Sequence, residues 1–184
     1  NQTAYPQIIG PCYELFRKWN YEMDGGIDPR ILKTFKKVNK IMLKAYERKE
    51  EAWPGKMKYR AIVWSCPAHY YANFSNWLAN CWGVNVLVEM ESLNFTKHLE
   101  TEDKEEAMRD LARLYERMVM RRHTNGGYQN VVDELWKQCE DWNAKLIIMY
   151  QNVACKNMAT VQGVLDDQGR ERGYDLIWVE HDLM

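Results

Sequence analysis

The sequence predicts one parallel α/β domain, and three observations carry that prediction. Four short apolar runs rich in β-branched residues, around Ile62, Val86, Ile147 and Ile177, alternate with longer stretches of helical spacing. Glycine, proline and asparagine breaks stand between the two kinds of segment. At 46% hydrophobic and 28% charged, the 184 residues can also bury a core, which argues against global disorder.

The elements follow in order. Tyr13–Tyr21 carries Leu15, Phe16 and Trp19 at helical spacing and ends at Asp24-Gly25-Gly26, a turn signal. Asp28-Pro29 is an N-cap followed by proline at the first helical position. From there Ile31, Leu32, Phe35, Val38, Ile41, Met42, Ala45 and Tyr46 form the apolar stripe of a long amphipathic helix, and Pro54-Gly55 closes the unit. Residues 1–57 are therefore a helical lead-in, and residues 58–184 the α/β domain.

Arg60–Cys66 is the first strand, and Pro67 opens a helix through Trp82 that Gly83 stops. Val84–Met90 is the second strand. Asp103–Met120 is a helix with Ala107, Leu111, Leu114, Tyr115 and Met118 on one face, broken at Asn125-Gly126-Gly127. Tyr128–Asp141 is another, with Val131, Val132, Leu135, Trp136 and Cys139 inward. Lys145–Tyr150 is the third strand, Met158–Arg172 a helix and Tyr174–Glu180 the fourth strand. Right-handed crossovers then give a flavodoxin-like four-stranded parallel sheet of order 2-1-3-4 with helices on both faces, preceded by the helical segment.

Composition narrows the function classes. Net charge is −1, and the basic residues interleave with acids instead of forming a stripe, so nucleic acid is not an expected partner. Apolar runs such as Leu146–Tyr150 are far too short to cross a bilayer, and no charged leader precedes an apolar segment. The expectation is a soluble, cytoplasmic protein. The chain starts at Asn1 without methionine and stops at Met184, shortly past an apparent strand, which suggests a piece of something longer. Eight Trp and eleven Tyr are enough to fill the core and still line a pocket for a flat or acyl-type ligand. Cys12, Cys66, Cys81, Cys139 and Cys155 form no CxxC pair, so neither a disulfide framework nor a complete zinc site is expected.

Ligands of an open parallel sheet sit beyond the carboxyl ends of its strands. That rule selects Ser65–His69, Glu89–Phe95, Gln151–Met158 and Glu180–Asp182. In the first loop, Ser65, Cys66 and His69 stand at a helix start whose free N–H groups suit an anion or a thioester carbonyl. The plainer reading is a serine cap and a packed cysteine. The loop lacks a glycine-rich phosphate cradle, which disfavours a dinucleotide site.

The loop Gln151-Asn152-Val153-Ala154-Cys155-Lys156-Asn157-Met158 is the more informative. A cysteine before a helix and beside a lysine is placed to act as a thiolate, either a nucleophile or a soft metal ligand, although a lone cysteine is commonly a packing residue. Cys81 and Cys139 fall on inward helix faces and read as core; His98 and His123 read as solvated; Met118, Met120 and Met149 read as packing. Glu180-His181-Asp182 is either a pocket rim or a solvated turn.

The stretch Lys145–Met184, with a strand, Cys155-Lys156, a helix and then Glu180-His181-Asp182 in an acid-x-Asp pattern, resembles the 2-hydroxyacyl-CoA dehydratase / benzoyl-CoA reductase family. Arg60–Pro67 is similar to that family's strand ending in a small-residue/Pro turn, and Pro6–Glu51 to the linker before it. The resemblance covers nearly the whole chain, with Cys155 in its context the sharpest element. It is of the 2-hydroxyglutaryl-CoA dehydratase D-component type, carboxy-terminal portion.

What the resemblance implies is a subunit of two flavodoxin-like domains in which three cysteines hold a [4Fe-4S] cluster. Cys155 matches the third, and the other two belong to an amino-terminal domain outside this chain. It further implies an acyl-CoA substrate, a related second subunit in a heterodimer, and an ATP-hydrolysing iron–sulfur activator. In the dehydratases the reduced substrate is a ketyl radical that loses its 2-hydroxyl group; in the reductases electrons enter an aromatic thioester ring. Two departures stand out. Ser65-Cys66-Pro67-Ala68-His69 lacks the glycine before proline and the aromatic after it that many relatives carry, and the chain stops before the usual final helix. The expected function is the carboxy-terminal portion of an iron–sulfur subunit of an (R)-2-hydroxyacyl-CoA dehydratase, inactive as this isolated piece. The alternatives are a benzoyl-CoA reductase-type subunit and, in another class, a non-catalytic flavodoxin-like binding or scaffold module.

Overall fold

The structure, a computed structural model, describes residues 29–48, 57–65, 74–90, 101–117 and 119–182. Four parallel strands form the sheet: β1 (Tyr59–Trp64), β2 (Val84–Glu89), β3 (Leu146–Asn152) and β4 (Asp175–His181). Their order is β2-β1-β3-β4, as the crossover argument requires. Register on the β1–β3 ladder runs from Ala61↔Leu146 to Trp64↔Met149, and on the β3–β4 ladder from Leu146↔Asp175 to Asn152↔His181. Beside β2 the register shifts between Ala61 and Ile62, so that Leu87 has no partner on β1.

The helices are α1 (Pro29–Glu47), α2 (Phe74–Trp77) continuing into a π-helical turn (Leu78–Trp82), α3 (Lys104–Glu116), α4 (Val119–Asn125), α5 (Gly127–Asp141) and α6 (Lys156–Arg172). One sheet face is covered by α5 and α6. There Val132, Leu135, Trp136 and Cys139 of α5 and Val161 and Leu165 of α6 meet Ile62, Trp64, Ile147 and Met149. On the other face Leu78 and Phe74 pack on Ala61, Val63, Ile148 and Tyr150. Alternate residues of β1 and β3 thus serve opposite layers, the two-sided burial that makes parallel strands read as continuous apolar runs. At the amino ends of the strands this second face keeps an apolar groove of about 630 Å³ lined by Trp77, Leu78, Trp82, Leu146, Ile148 and Ile177, among others.

Local chemistry fixes several joints. Gly83 ends the π-helical turn at φ +70°, and its N–H donates back to the Leu78 and Ala79 carbonyls. Arg60 holds the α5–β3 connection: its Nη2 donates to the Trp142 carbonyl at 2.7 Å and its Nε to the Asn143 carbonyl at 3.1 Å. Gly169 lets α6 approach β4, since a Cβ there would stand 2.4 Å from Leu176 Cδ1.

The structure corrects several expectations. The helix expected over Asp103–Met120 ends at Glu116, with Asp103 as its N-cap accepting from the Glu106 N–H at 2.8 Å. None of its residues is buried, and Leu111 and Tyr115 are exposed, because seven of its thirteen residues are charged and leave only a narrow stripe. Cys81 is exposed and not core, because the π-helical turn replaces the spacing that had placed it inward. In α1 Ala45 is buried but Ile41 is exposed. Strands β3 and β4 run one or two residues past their expected ends, and α6 starts two residues early, at Lys156. The helices expected at Tyr13–Tyr21 and from Pro67 to Asn73 lie outside the described residues. No described helix is long and apolar enough to cross a membrane.

Candidate functional site at the carboxyl edge of the sheet

The carboxyl ends of β1 and β3 lie side by side in the middle of the sheet. At the end of β1, buried Ser65 takes φ +73°, a left-handed conformation that a non-glycine side chain adopts at a cost. Trp64↔Met149 puts Ser65 level with Tyr150, one residue short of Gln151. Gln151 is 5% exposed, and its Oε1 is sealed from solvent with no hydrogen-bond partner.

Asn152 makes the turn that delivers Cys155. Its Oδ1 accepts from the Ala154 N–H at 2.8 Å and its carbonyl from the Cys155 N–H at 2.8 Å, a local bonding pattern that suits asparagine. The Val153 N–H donates to the His181 carbonyl at 3.1 Å and fixes the turn to β4. Cys155 then occupies the N-cap of α6, half-buried. Its carbonyl accepts from Ala159 while its thiol makes no cap bond. The sulfur is therefore not committed to closing the helix.

Two aromatic residues flank this edge on opposite faces. Tyr150 meets Phe74 edge-on at 5.4 Å and His181 at 5.9 Å between ring centroids. On the α5/α6 face, the Trp64 ring lies 5.8 Å from that of His123. His123 is not solvated as expected. Its side chain is 10% exposed, and its Nε2 stands 3.5 Å from Glu134 Oε2, which also pairs with Arg122 at 2.8 Å. Burial lowers the His123 pKa, against the raising effect of Glu134. Local sequence could not place His123, because the partners that bury it come from β1 and α5.

The sequence-selected residues thus divide. Ser65, Gln151, Asn152 and Cys155 come together at the carboxyl edge, with Gln151 and Asn152 as the last residues of β3. Glu180 and His181 belong to β4, in register with Gln151 and Asn152. Cys66 and His69 lie outside the described residues. Cys139 is buried in the core, where burial pushes its thiol pKa up to about 12, so it is no ligand candidate. Among the described residues no group of three or more His, Cys, Asp or Glu side chains could hold a metal ion. A metal group at this edge would find one described thiol, Cys155, and must draw its other ligands from elsewhere.

A parallel sheet of order 2-1-3-4 with a thiol at the strand–helix turn of its central edge defines an α/β protein of the flavodoxin-like kind. The chain belongs to the 2-hydroxyglutaryl-CoA dehydratase D-component family, whose model matches residues 21–184. That family makes the chain a dehydratase-type subunit, with an acyl-CoA substrate, a partner subunit and iron–sulfur components as its general setting. No curated protein matches the chain.

Proposed function

We propose that the chain is the carboxy-terminal portion of an iron–sulfur subunit of an (R)-2-hydroxyacyl-CoA dehydratase, which eliminates water from a 2-hydroxyacyl-CoA thioester. The observation that carries this reading is the uncommitted thiol of Cys155 at the N-cap of α6, one turn beyond buried Gln151 at the end of β3. As a thiolate, Cys155 donates one ligand to a [4Fe-4S] cluster whose other cysteines lie in the amino-terminal domain of the subunit. When bound, that cluster supplies single electrons of low potential. The residues of this chain hold the substrate: Ser65, Gln151 and Asn152 border the thioester, with Cys66 and His69 on the neighbouring loop. The related second subunit closes the pocket, and an ATP-dependent iron–sulfur activator delivers the electron. The protein works in the cytoplasm.

The test is anaerobic co-expression of the full-length subunit with its partner, as wild type and as Cys155→Ala. The variant is expected to lose most of its iron and the cluster absorbance while remaining folded. Unchanged iron content would remove Cys155 from the ligand set and with it the reading.

A further inference from the structure

The interleaving of acids and bases that marks the chain as a whole breaks down in α1. Its 19 residues carry Arg30 and five lysines against a single acid, Glu47, and its first turn holds no carboxylate. Lys33, Lys36, Lys37, Lys40 and Lys44 recur at spacings of three and four, so they form one ridge about 16 Å long. All five are exposed. Ala45, off this line, is 3% exposed, so the ridge faces away from the side on which the helix packs.

Among the described residues, none of the five lysines meets a carboxylate within ion-pair distance. The other exposed helices neutralise their cations. Arg109 pairs with Glu105 and Arg113 with Asp110 in α3, Lys137 with Asp141 in α5, and Arg170 with Asp167 in α6. Like charges three and four residues apart, starting near the positive end of the helix dipole, destabilise α1 with no contact to offset them. An anion seated on the ridge would supply that offset.

The acyl-CoA setting of the family supplies an anion of suitable form. A CoA thioester sends its acyl group into a pocket and leaves the pyrophosphate and 3′-phosphate of its nucleotide at the surface. There it needs several cations together and an apolar rest for adenine. Elsewhere in the described residues the cations do not group in this way. Arg60 is held by the Trp142 carbonyl, Lys145 and Arg172 lie over the rings of Tyr174 and Trp136, and Lys156 beside Cys155 is exposed but alone. On α1 the ridge is flanked by Ile41 and Leu43, 45% and 54% exposed, which offer a purine an aliphatic surface.

We propose that the lysine ridge of α1 holds the 3′-phospho-ADP end of the CoA thioester. This assignment rests on the dehydratase reading above; it gives α1 the carrier and leaves the acyl group to the carboxyl edge. Lysine suits the task, because its ammonium meets a phosphate as a point charge on a flexible stem. Solvent-exposed contacts of this kind weaken as salt is raised.

The test measures thioester binding to the resting complex of the full-length subunit and its partner, which needs no electron transfer. Three ligands share one acyl group: lactoyl-CoA, lactoyl-dephospho-CoA without the 3′-phosphate, and lactoyl-pantetheine without the nucleotide. Wild type is expected to bind them in that order of falling affinity, with the differences shrinking at high salt. Lys36→Gln/Lys40→Gln removes two charges from the middle of the ridge and keeps good helix formers there. It is expected to weaken lactoyl-CoA by about tenfold and leave lactoyl-pantetheine within about twofold. Lys36→Arg/Lys40→Arg, which keeps both charges, should bind all three as wild type does. If the glutamine variant weakens all three ligands alike, or none, the ridge is not a CoA site, while the dehydratase reading stands on the iron content of Cys155→Ala. Lost binding to phosphatidylserine vesicles or RNA with the thioesters unaffected overturns the assignment equally and gives the ridge to another polyanion. Wild type that binds none of the three thioesters overturns both.

Discussion

The indole Nε1 of Trp136 donates to Gln168 Oε1 across 2.7 Å, joining α5 to α6 over the face of the sheet that carries the candidate site. The same indole stacks on Tyr174 at 5.5 Å with an interplanar angle of 11°, so one side chain ties two helices and the start of β4. Trp178 repeats the device from the sheet side, its Nε1 donating to Asp166 Oδ1 at 2.6 Å. These bonds set where α6 lies, and therefore where its first residue places Cys155.

Trp136→Phe keeps a ring against Tyr174 but removes the donor, stranding Gln168 in a partly buried position. The expected loss is about 1 kcal/mol of unfolding free energy, read as a lower urea midpoint at unchanged slope. Adding Gln168→Met should recover part of it, because the unmet acceptor goes as well. An additive loss in the double variant would show that the bond contributes nothing.

Much of this architecture is legible locally, and the reason differs between elements. Strand runs such as Leu146–Met149 are recognisable because both faces of a central parallel strand are buried. Gln151, Asn152 and His181 look like loop residues, yet the ladder continues through them, because it is made of backbone groups and tolerates polar side chains at a strand end. Cys155 was visible as a strand-end cysteine, but its N-cap position depends on a helix start two residues earlier than the apolar pattern shows. Trp64 and Glu134 were invisible as site neighbours: a tryptophan in an apolar strand reads as core, and only tertiary contact reveals an unmet N–H or a buried His–Glu pair.

The cysteines should separate sharply in reactivity. Cys81 is exposed on the π-helical turn, whereas Cys139 is almost fully enclosed and its thiol is pushed up to about 12, first by burial and then by the nearby Glu140. Thiolate is the reactive form, so a brief iodoacetamide pulse near neutral pH should label Cys81 and spare Cys139 until the protein is unfolded. Peptide-resolved mass spectrometry reads both sites in one sample. Labelling of Cys139 at the rate of Cys81 in folded protein would contradict the packing of α5 on the sheet. The same raised pKa means that folded Cys139 retains its proton where the unfolded chain loses it, so its contribution to stability falls as pH rises from about 9 toward about 12.

His123 should give the fold the opposite dependence at acidic pH. Its pKa is lowered from the ordinary 6.5 chiefly by burial beneath Trp64, with Arg122 adding to that and Glu134 opposing it. The unfolded chain therefore binds a proton at a higher pH than the folded protein does. Between the two pKa values the unfolded state holds more protons, and stability rises with pH. The stabilisation is full above about 6.5 and declines as pH falls through that value toward the folded pKa. His123→Gln, which cannot titrate, should flatten this part of the profile, so that the difference in urea midpoint between wild type and variant changes between pH 7.5 and pH 5.5. A profile of identical shape for wild type and His123→Gln would show that the histidine is solvated after all.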